Sequence, residues 1–356
     1  MIRYTMIRVV WIFLILVTTL SINFVILKSA PEYPPTQPED RDMWYARQVS
    51  DGFYTERLIT DEAEIERVRA DEHDPIQNSF YRDEGDRIRV FEPVPISIQY
   101  FTWVSNIVTD WHWGYSTRVQ PNTEVFEVLS SRIPVTLRLN LVALVFYIPI
   151  GFGLGIWAAL KKNSLADNVI SLSVMIFISL PSFVVMLFLV LIFGYTLGWL
   201  PNQWPPSYAS DLNQFLGIIL PVLGLSFGSI AGLTRTTRAE LTEVLTSEFL
   251  LLARTKGLTR QQSVIRHAMR NSMVPLVPGI IASFVGLLSG SVIIEQIYTI
   301  PGTGRIFIRA LAQNNLDYNL LLGISAFYTI IGLFAVLLVD LSYGVVDPRI
   351  RMGAKK

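Results

Sequence analysis

The sequence predicts an all-α polytopic membrane protein with six transmembrane helices and a small α+β domain outside the membrane, between the first two helices. Three observations predict this fold class: apolar segments long enough to cross a bilayer, a composition that is 51% hydrophobic and 16% charged, and acidic residues concentrated in one region. An ordinary soluble domain carries about 25% charged residues. The 356 residues include no cysteine, which excludes disulfides and thiolate metal sites.

Six segments have the length of about 20 mostly apolar residues that a ~30 Å hydrocarbon core requires. They lie at 9–27, 137–160, 168–197, 215–234, 274–294 and 321–342. The third contains Pro181 near its middle and is expected to kink there, because proline removes a backbone hydrogen bond. A cleaved signal peptide is the alternative for the first segment, but a signal peptide has a shorter apolar region, so a retained span is favoured.

Lys and Arg in the short loops indicate the orientation, because cytoplasmic loops carry an excess of these residues. Most of the bases fall on one side of the membrane: Lys161, Lys162, seven bases from Arg235 to Arg270, and those at both termini. The loop at 198–214, on the other side, has none. Both termini are therefore predicted to be cytoplasmic. The predicted organisation is a first transmembrane helix at 1–28, an extracytoplasmic domain at 29–132, a transmembrane core at 133–346 that includes the cytoplasmic segment 235–273, and a tail at 347–356.

The predicted outer domain is acidic and mixed in polarity. Residues 28–132 contain 20 Asp and Glu against 11 Lys and Arg, out of 29 of each in the chain. We expect a charged surface helix at 61–72, a short strand at 86–92 and an aromatic amphipathic segment at 96–113. Trp103, Trp111 and Trp113 are of a type that favours the headgroup interface.

Glycines in two apolar segments recur every four residues. Gly224, Gly228 and Gly232 share one helix face, as do Gly151 and Gly155. Small residues at this spacing allow close approach of helices in lipid. The alternative for any single glycine is that this residue is simply frequent in membrane helices.

The segment from 235 to 273 is basic and polar, and two amphipathic helices are expected in it. The first runs from about 239 to 256 and ends at Gly257; the second begins at Thr259, which forms a capping box with Gln262. The apolar faces contain Phe249, Leu252 and Ala253 in the first helix, and Val264, Ile265, Ala268 and Met269 in the second. Apolar helix faces of this kind have to be buried, and three alternatives exist for this segment: anionic lipid, the protein's own helix bundle or a soluble partner.

Several motifs follow one another in a fixed order between residues 95 and 351. They are "DWHWGYST" at 110–117, "RIPVTLRLN" at 132–140, "LPSF" at 180–183, "LGWLP" at 197–201, "ARTKGL" at 253–258, "RHAMRNSMVP" at 266–275, "SGSVIIEQIYTIPGTGR" at 289–305 and "DPRIR" at 347–351. This order resembles the permeases of binding-protein-dependent ABC importers, in the form found in the oligopeptide/dipeptide/nickel permease family. The general importer loop pattern is only partly kept, since its Glu and first Ala fall on Leu251 and Leu252.

The resemblance implies a type I ABC importer permease fold and a function in peptide uptake across a bacterial plasma membrane. It implies a heterodimer with a second permease, two cytoplasmic ATPase subunits that hold ATP and Mg, and an extracytoplasmic binding protein. The residues implied in ATPase coupling are Glu248, Ala253, Arg254, Lys256, Gly257, Arg266 and His267. Those implied in the outer gate or substrate path are Glu295, Tyr298, Pro301, Gly302, Gly304 and Arg305.

Other classes of function have less support in the sequence. No "GxxxxGK[ST]" phosphate loop occurs, so this chain is not expected to hydrolyse ATP, and its three histidines lie far apart, so no metal site is expected. We predict that it is not an enzyme and binds no nucleic acid. A solitary secondary carrier or a membrane receptor is the alternative. Arg138, Glu295 and Asp340 lie near segment ends, where each is expected to snorkel to an interface. The alternative for Glu295 is a contact at the outer mouth with the amino terminus of a peptide.

Overall fold

The structure is a computed structural model that describes residues 2–30, 34–35, 37–70, 80–288, 291–312 and 316–346. The predicted tail at 347–356, including "DPRIR", lies outside the described residues. The chain divides into two compact units. Unit 1 consists of Met1–Ile12, Arg132–Arg305 and Ile330–Lys356, and unit 2 of Phe13–Ser131 and Ile306–Thr329.

Helices account for most of the described chain. Their bounds are α1 Ile2–Lys28, α2 Pro38–Ser50, α3 Glu62–Ala70, α4 Ile96–Asp110, α5 Val125–Leu160, α6 Leu165–Ser179, α7 Ser182–Leu189, α8 Asp211–Leu245, α9 Glu248–Thr255, α10 Arg260–Ser263, α11 Met269–Leu288, α12 Val292–Ile297, α13 Thr303–Leu311 and α14 Tyr318–Val346. Two π-helical turns, Val190–Thr196 after α7 and Val264–Ala268 between α10 and α11, continue the helices that they adjoin.

Four helices and one bent helix pair are long and apolar enough to cross a membrane among the described residues. The helices are Met6–Lys28, Val125–Leu160, Asp211–Leu245 and Tyr318–Ser342, and the pair is Leu165–Ser179 with Ser182–Thr196. Four predicted segments coincide with these helices, and the third coincides with the pair. The remaining segment, 274–294, falls on α11 and on residues 289–290, which lie outside the described set. The protein is therefore a multi-pass helical membrane protein with four or five such elements in the described part.

The predicted kink at Pro181 is confirmed, but it is a break rather than a gentle bend. The axes of α6 and the following helix differ by 98°. Leu180 has an extended backbone, and Pro181 is the N-cap of α7. Since the residue before a proline is disfavoured in the α region, the "LP" pair accounts for the position of the break.

The core of unit 1 lies where α5, α7, α8 and α12 meet. Its fully buried members include Leu139, Met186, Leu220, Ile294 and Tyr298. In lipid, such contacts gain stability from close van der Waals packing, because the hydrophobic driving force between apolar helices is weak.

The predicted glycine faces differ in what they contact. A Cβ added at Gly155 would lie 2.6 Å from Thr237 Cβ, and one at Gly151 would lie 3.0 Å from Leu233 Cβ, so this pair brings α5 against α8. A Cβ at Gly224 would lie 2.9 Å from Met186 Sδ. At Gly228 and Gly232 no described atom lies within 4 Å of an added Cβ, so Gly224 is the member of the predicted triple face that closely contacts another described helix.

Unit 2 contains a three-stranded antiparallel sheet with the order β1-β3-β2. The strands are β1 Tyr54–Ile59, β2 Phe80–Asp83 and β3 Ile88–Pro93. The registers pair Tyr54 with Pro93 and Asp83 with Ile88. The predicted strand and the predicted charged helix correspond to β3 and α3, which pack through Ile59, Ile65, Ile88 and Val90.

Two of the three tryptophans predicted at the headgroup interface lie inside unit 2. Trp103 and Trp113 are 3% and 9% exposed, whereas Trp111 is 57% exposed. The rings of Phe24 and Trp103 are 5.1 Å apart, and those of Trp103 and Trp113 are 6.0 Å apart. The interfacial prediction is wrong for Trp103 and Trp113, because burial in this aromatic cluster uses the apolar area of both rings.

Candidate functional site

The basic segment after α8 contains a helix break that the sequence prediction missed. The helix expected at 239–256 is divided, since α8 ends at Leu245 and α9 begins at Glu248. Thr246 Oγ1 donates a 2.9 Å hydrogen bond to the carbonyl of Glu243, and Ser247 Oγ donates a 2.6 Å bond to that of Val244. Hydroxyls that satisfy nearby backbone groups compete with the helix, which explains the interruption.

The local signals at the other end of α9 are confirmed. Gly257 has a φ of +93°, the left-handed conformation that favours glycine after a helix. The hydroxyl of Thr259 accepts a 3.2 Å bond from the backbone N–H of Gln262, and the Gln262 side chain accepts a 3.1 Å bond from the N–H of Thr259. This is the predicted capping box. The helix then continues through the π-helical turn into α11, so the loop leads directly into a membrane helix.

Burial in the loop distinguishes two rows of side chains. Leu250 is 1% exposed and packs with Ala159, Leu241 and Ala268, whereas Phe249 and Leu252 of the predicted apolar face are 44% and 57% exposed. In the second helix Val264 and Ala268 are buried as predicted, but Ile265 is 57% exposed. One row of side chains therefore anchors α9 to the bundle while another faces outward.

We call the outward-facing residues the loop surface. It consists of Glu248, Phe249, Leu251, Leu252, Arg254, Lys256, Ile265 and Arg266, all of which are exposed. Among the other predicted coupling residues, Ala253 and His267 are half-buried and Gly257 is exposed. Exposed apolar side chains rimmed by charges mark interaction sites on proteins. The loop surface has this composition.

The second predicted site is organised by a buried carboxylate. Glu295 is 0% exposed; its Oε1 accepts a 2.9 Å bond from Thr136 Oγ1, and its Oε2 accepts a 3.0 Å bond from the backbone N–H of Arg305. Thr136 Oγ1 in turn accepts a 2.9 Å bond from the N–H of Thr303. The expectation that Glu295 snorkels to an interface is wrong in this structure, because both carboxylate oxygens are used by the protein itself.

The two glycines of "PGTGR" are required by the close approach of neighbouring atoms. A Cβ at Gly302 would lie 2.5 Å from both Glu295 Oε2 and Thr136 Oγ1. A Cβ at Gly304 would lie 2.8 Å from the Cα of Val292. Pro301 between the buried Ile300 and Gly302 is half-buried.

Tyr298 and Arg305 fix the ends of this loop. Tyr298 is 0% exposed; its hydroxyl donates to the carbonyl of Pro201, and its own carbonyl accepts a 2.8 Å bond from the N–H of Trp204. Arg305 Nη1 donates a 2.6 Å bond to the carbonyl of Thr299. The structure therefore brings all six predicted outer-gate residues into one hydrogen-bonded loop around Glu295.

The other charges near segment ends have separate roles. Asp340 forms an ion pair with Arg8, with 3.2 Å between Oδ2 and Nε, which joins the first and last apolar helices within unit 1. Arg138 is exposed. In the part of the chain that the structure describes, no group of three or more His, Asp or Glu could hold a metal ion.

Sequence reasoning did not identify Thr136 or Asp317. Thr136 lies inside the "RIPVTLRLN" motif, and its position in that motif was the available signal. Asp317 precedes the last apolar segment and, in unit 2, receives hydrogen bonds from the "GYST" element. A single carboxylate in front of an apolar segment was the only local sign of it.

Comparison with known structures defines the class of fold. A chain of the MetNI methionine ABC transporter, in an inward-facing form, aligns with a TM-score of 0.50 at 16% identity over 62% of this chain and 97% of its own length. This likeness concerns the fold alone: the bundle has the type I fold of ABC transporter permeases, the membrane components through which such transporters move their substrates.

Sequence comparison identifies the family. Residues 151–352 match the model of the binding-protein-dependent transport system inner membrane component. The dipeptide transport system permease DppB of Bacillus subtilis is 31% identical over 73% of this chain and 81% of its own length, and the oligopeptide permease OppB of Haemophilus influenzae is 33% identical over 72% and 81%. The chain belongs to the family of binding-protein-dependent transport system inner membrane components. It is a permease subunit, a translocation component rather than an enzyme, and such subunits bind no cofactor themselves.

Proposed function

We propose that the chain forms half of the membrane pathway of an ATP-driven importer of dipeptides or oligopeptides in a bacterial plasma membrane. The loop surface is the observation that carries this proposal. The relatives are named as dipeptide and oligopeptide transport permeases, which supports peptides as the substrate class.

The loop surface suits a soluble motor better than lipid or the chain's own bundle. Phe249, Leu251 and Leu252 are 44 to 64% exposed in this chain, so its own helices do not cover them. Acidic Glu248 stands among the bases of the surface, and a patch of mixed charge complements a protein better than it complements an anionic membrane. A cytoplasmic ATPase subunit is the partner that we assign to it.

The loop is also built to transmit movement. Leu250 anchors α9 to the cytoplasmic ends of α5 and α8, and the helix that begins at Thr259 continues into α11 without a loop. A displacement of α9 by an ATPase would therefore act directly on membrane helices. In this proposal Glu248, Ala253, Arg254, Lys256, Gly257, Arg266 and His267 make the contact or border it.

The proposed assembly contains more than this chain. A second, different permease completes the pathway, two ATPase subunits hold ATP and Mg, and an extracytoplasmic binding protein delivers the peptide. Selectivity among peptides belongs mainly to that binding protein. ABC importer permeases as a family support partners of these kinds.

We further propose six membrane spans with both termini in the cytoplasm and an extracytoplasmic domain at 29–132. The sheet of β1 to β3 and its covering helices supply the folded part of that domain. Its acidic surface would seat the binding protein or shield the outer mouth. Deletion of residues 36–90 should then weaken binding-protein docking, and unchanged docking and uptake after the deletion would contradict this role.

The loop around Glu295 is proposed as a scaffold of the outer gate. Tyr298, Pro301, Gly302, Gly304 and Arg305 shape it, and Glu295 holds it to α5 through Thr136. A rigid, internally bonded loop between two apolar segments would keep the outer mouth in a defined shape.

The coupling proposal is tested with the double variant F249A/L252A. Truncation of buried interface anchors typically costs more than 1 kcal/mol each, so the affinity for the ATPase subunits should fall about tenfold or more. The matched control is L165A, which shortens an apolar side chain of 80% exposure outside the loop. Co-purification of ATPase subunits and peptide-stimulated ATP hydrolysis are measured in membranes with equal amounts of each permease variant. Equal ATPase binding by F249A/L252A and wild type would contradict the coupling role.

The orientation is tested by single cysteine variants, because the natural chain has no cysteine. Tyr208 is 89% exposed in the predicted outer loop, and Asn163 lies in the predicted cytoplasmic turn. A membrane-impermeant maleimide applied to intact spheroplasts should label Y208C and leave N163C unlabelled until the membrane is opened. The opposite pattern would invert the proposed topology.

A further inference from the structure

Two adjoining cavities lie beside α6 and α8 in unit 1. The larger, of about 500 Å³, is lined by Ser171, Ser179, Arg235 and Arg238 together with apolar side chains. The smaller, of about 320 Å³, lies between α5, α6 and α8. Ile170, Val174 and Thr234 line both cavities, so one continuous groove passes from a basic mouth to an apolar interior.

The mouth of the groove carries an excess positive charge. Arg238 makes a bidentate ion pair with the buried Asp167, at 2.5 Å from Nε and 2.8 Å from Nη2. Arg235 is exposed, and among the described residues it makes no ion pair or hydrogen bond. Among the residues that the structure describes, no acidic side chain lines this cavity. One guanidinium therefore remains for an anion, and guanidinium groups match phosphate oxygens in geometry.

The interior of the groove has the chemistry of an acyl chain site. Phe146, Ile150, Leu154, Val169, Phe177 and Phe227 are among its lining residues. Along α8, Leu223 in the interior and Arg235 at the mouth are about 18 Å apart at 1.5 Å per residue. One leaflet of a ~30 Å hydrocarbon core has nearly this depth. Apolar side chains predominate over Ser173, Ser226 and Thr234 in this lining, which favours an acyl chain over a water-filled path.

The proposed orientation, on which this inference rests, places the basic mouth at the cytoplasmic surface. Arg235 and Arg238 belong to the basic side of the chain, and anionic lipids occupy the cytoplasmic leaflet. Basic pockets between membrane helices on that side bind anionic lipid headgroups.

We infer that the groove between α6 and α8 binds one anionic phospholipid of the inner leaflet, with its phosphate at Arg235 and an acyl chain among Phe146, Phe177 and Phe227. The lipid fills the space beside the α6–α7 break and the Arg238–Asp167 pair. It thereby braces the part of α8 that leads to the loop surface.

The inference is tested by native mass spectrometry of the full-length permease in neutral detergent, with dioleoyl phosphatidylglycerol or dioleoyl phosphatidylcholine added. The wild type should retain one phosphatidylglycerol more strongly than phosphatidylcholine. Each Lys or Arg near the surface contributes about 1 kcal/mol to such binding, so R235Q should weaken phosphatidylglycerol binding about fivefold. The matched control K162Q removes an exposed base outside the groove and should bind as the wild type does.

A second pair of variants tests the acyl site. S173F fills the smaller cavity from α6, whereas L172F adds a similar ring at the neighbouring position, outside both cavities. S173F should lower retention of both lipids, and L172F should not. Thermal stability of each variant in detergent verifies that it folds.

Three results would overturn the inference. The first is equal phosphatidylglycerol binding by R235Q and wild type. The second is displacement of the lipid by inorganic phosphate at millimolar concentration, since the site would then be a simple anion site. The third is loss of the bound lipid when the second permease is assembled with the chain, because the groove would then be a subunit interface.

Discussion

The hydroxyl of Ser116 donates a 2.6 Å hydrogen bond to the carboxylate of Asp317, which lies 201 residues further along the chain. The same carboxylate oxygen accepts bonds of 3.0 to 3.1 Å from the backbone N–H groups of Thr117, Arg118 and Val119. Asp317 is 0% exposed. Four donors from one loop thus converge on a buried charge, and they hold the "GYST" element to the start of α14 within unit 2.

Removal of this charge should destabilise the protein. Hydrogen bonds to charged groups contribute about 1.5–3 kcal/mol each, and an unsatisfied buried donor costs about 1–3 kcal/mol. D317N removes the negative charge and replaces one carboxylate oxygen by an N–H₂ group. That group faces either the four donors to Oδ2 or the N–H of Leu320, which donates to Oδ1, so at least one donor loses its partner. The expected result is a loss of roughly 2 kcal/mol in the free energy of unfolding. The thermal midpoint in detergent checks it, with D211N in the exposed first turn of α8 as the control. An unchanged midpoint for D317N would contradict the clamp.

The contact of α5 with α8 depends on the absence of a side chain at Gly155. G155V would place its Cβ 2.6 Å from Thr237 Cβ and 2.9 Å from the carbonyl oxygen of Thr234. Overpacking of this kind typically costs about 1–3 kcal/mol, and here the helices would separate. The matched control is G153V on the same helix, where no described atom lies within 4 Å of the added Cβ. Equal detergent stability of the two variants would show that α5 and α8 do not pack as described.

Features that depend on neighbouring residues could be predicted from the sequence. The capping box at Thr259, the left-handed Gly257 and the break at Pro181 each follow from one or two side chains and their own backbone. The apolar spans follow from segment length alone. For these features the signal and the structure lie within a few residues of each other.

Features that depend on distant residues could not be predicted in this way. Periodicity indicated that Phe249 and Leu252 were on an apolar face, but only the position of α5 and α8 determines that Leu250 is the anchor. Glu295 looked like a surface charge because its partners, Thr136 and Arg305, belong to other elements. A buried carboxylate whose hydrogen-bond donors are distant in the sequence produces no local sequence pattern from which its burial could be predicted.

Acid should weaken the ion pair that joins α3 to the sheet. The hydrogen bond from Arg69 lowers the pKa of Asp83 from 3.8 to about 2, and Arg69 Nε lies 2.7 Å from Oδ2. Because the pKa of Asp83 is lower in the folded state, its contribution to stability is complete above pH 3.8 and is lost as the pH falls towards 2. The pair is exposed, so the effect is small, about 2 °C in the thermal midpoint.

Circular dichroism melts between pH 5 and pH 2.5 check this prediction. The midpoint of D83N should fall less with acid than that of the wild type, since D83N has no carboxylate at this position to protonate. D86N is the control, because Asp86 is exposed and makes no ion pair among the described residues. A D83N midpoint that falls with acid as steeply as the wild-type midpoint would argue against a role for the pair.

Glu295 offers the sharpest distinction between a scaffold and a peptide contact. The carboxylate of Glu295 is bonded to Thr136 and to the N–H of Arg305. E295Q replaces these charge-assisted hydrogen bonds by weaker neutral ones and should destabilise the loop by about 1–3 kcal/mol. G302A should act in the same direction, because its Cβ would lie 2.5 Å from Glu295 Oε2. The neighbouring Gln296 is exposed, and Q296A is the matched control.

In reconstituted transporter, E295Q and G302A should lower the maximal uptake rate and leave the KM for peptides unchanged, with no difference between free and N-acetylated peptides. The contrary result is an E295Q variant that is as stable as the wild type and raises the KM only for peptides with a free amino terminus. Glu295 would then contact the substrate in a conformation other than the one described, and the scaffold assignment would be wrong.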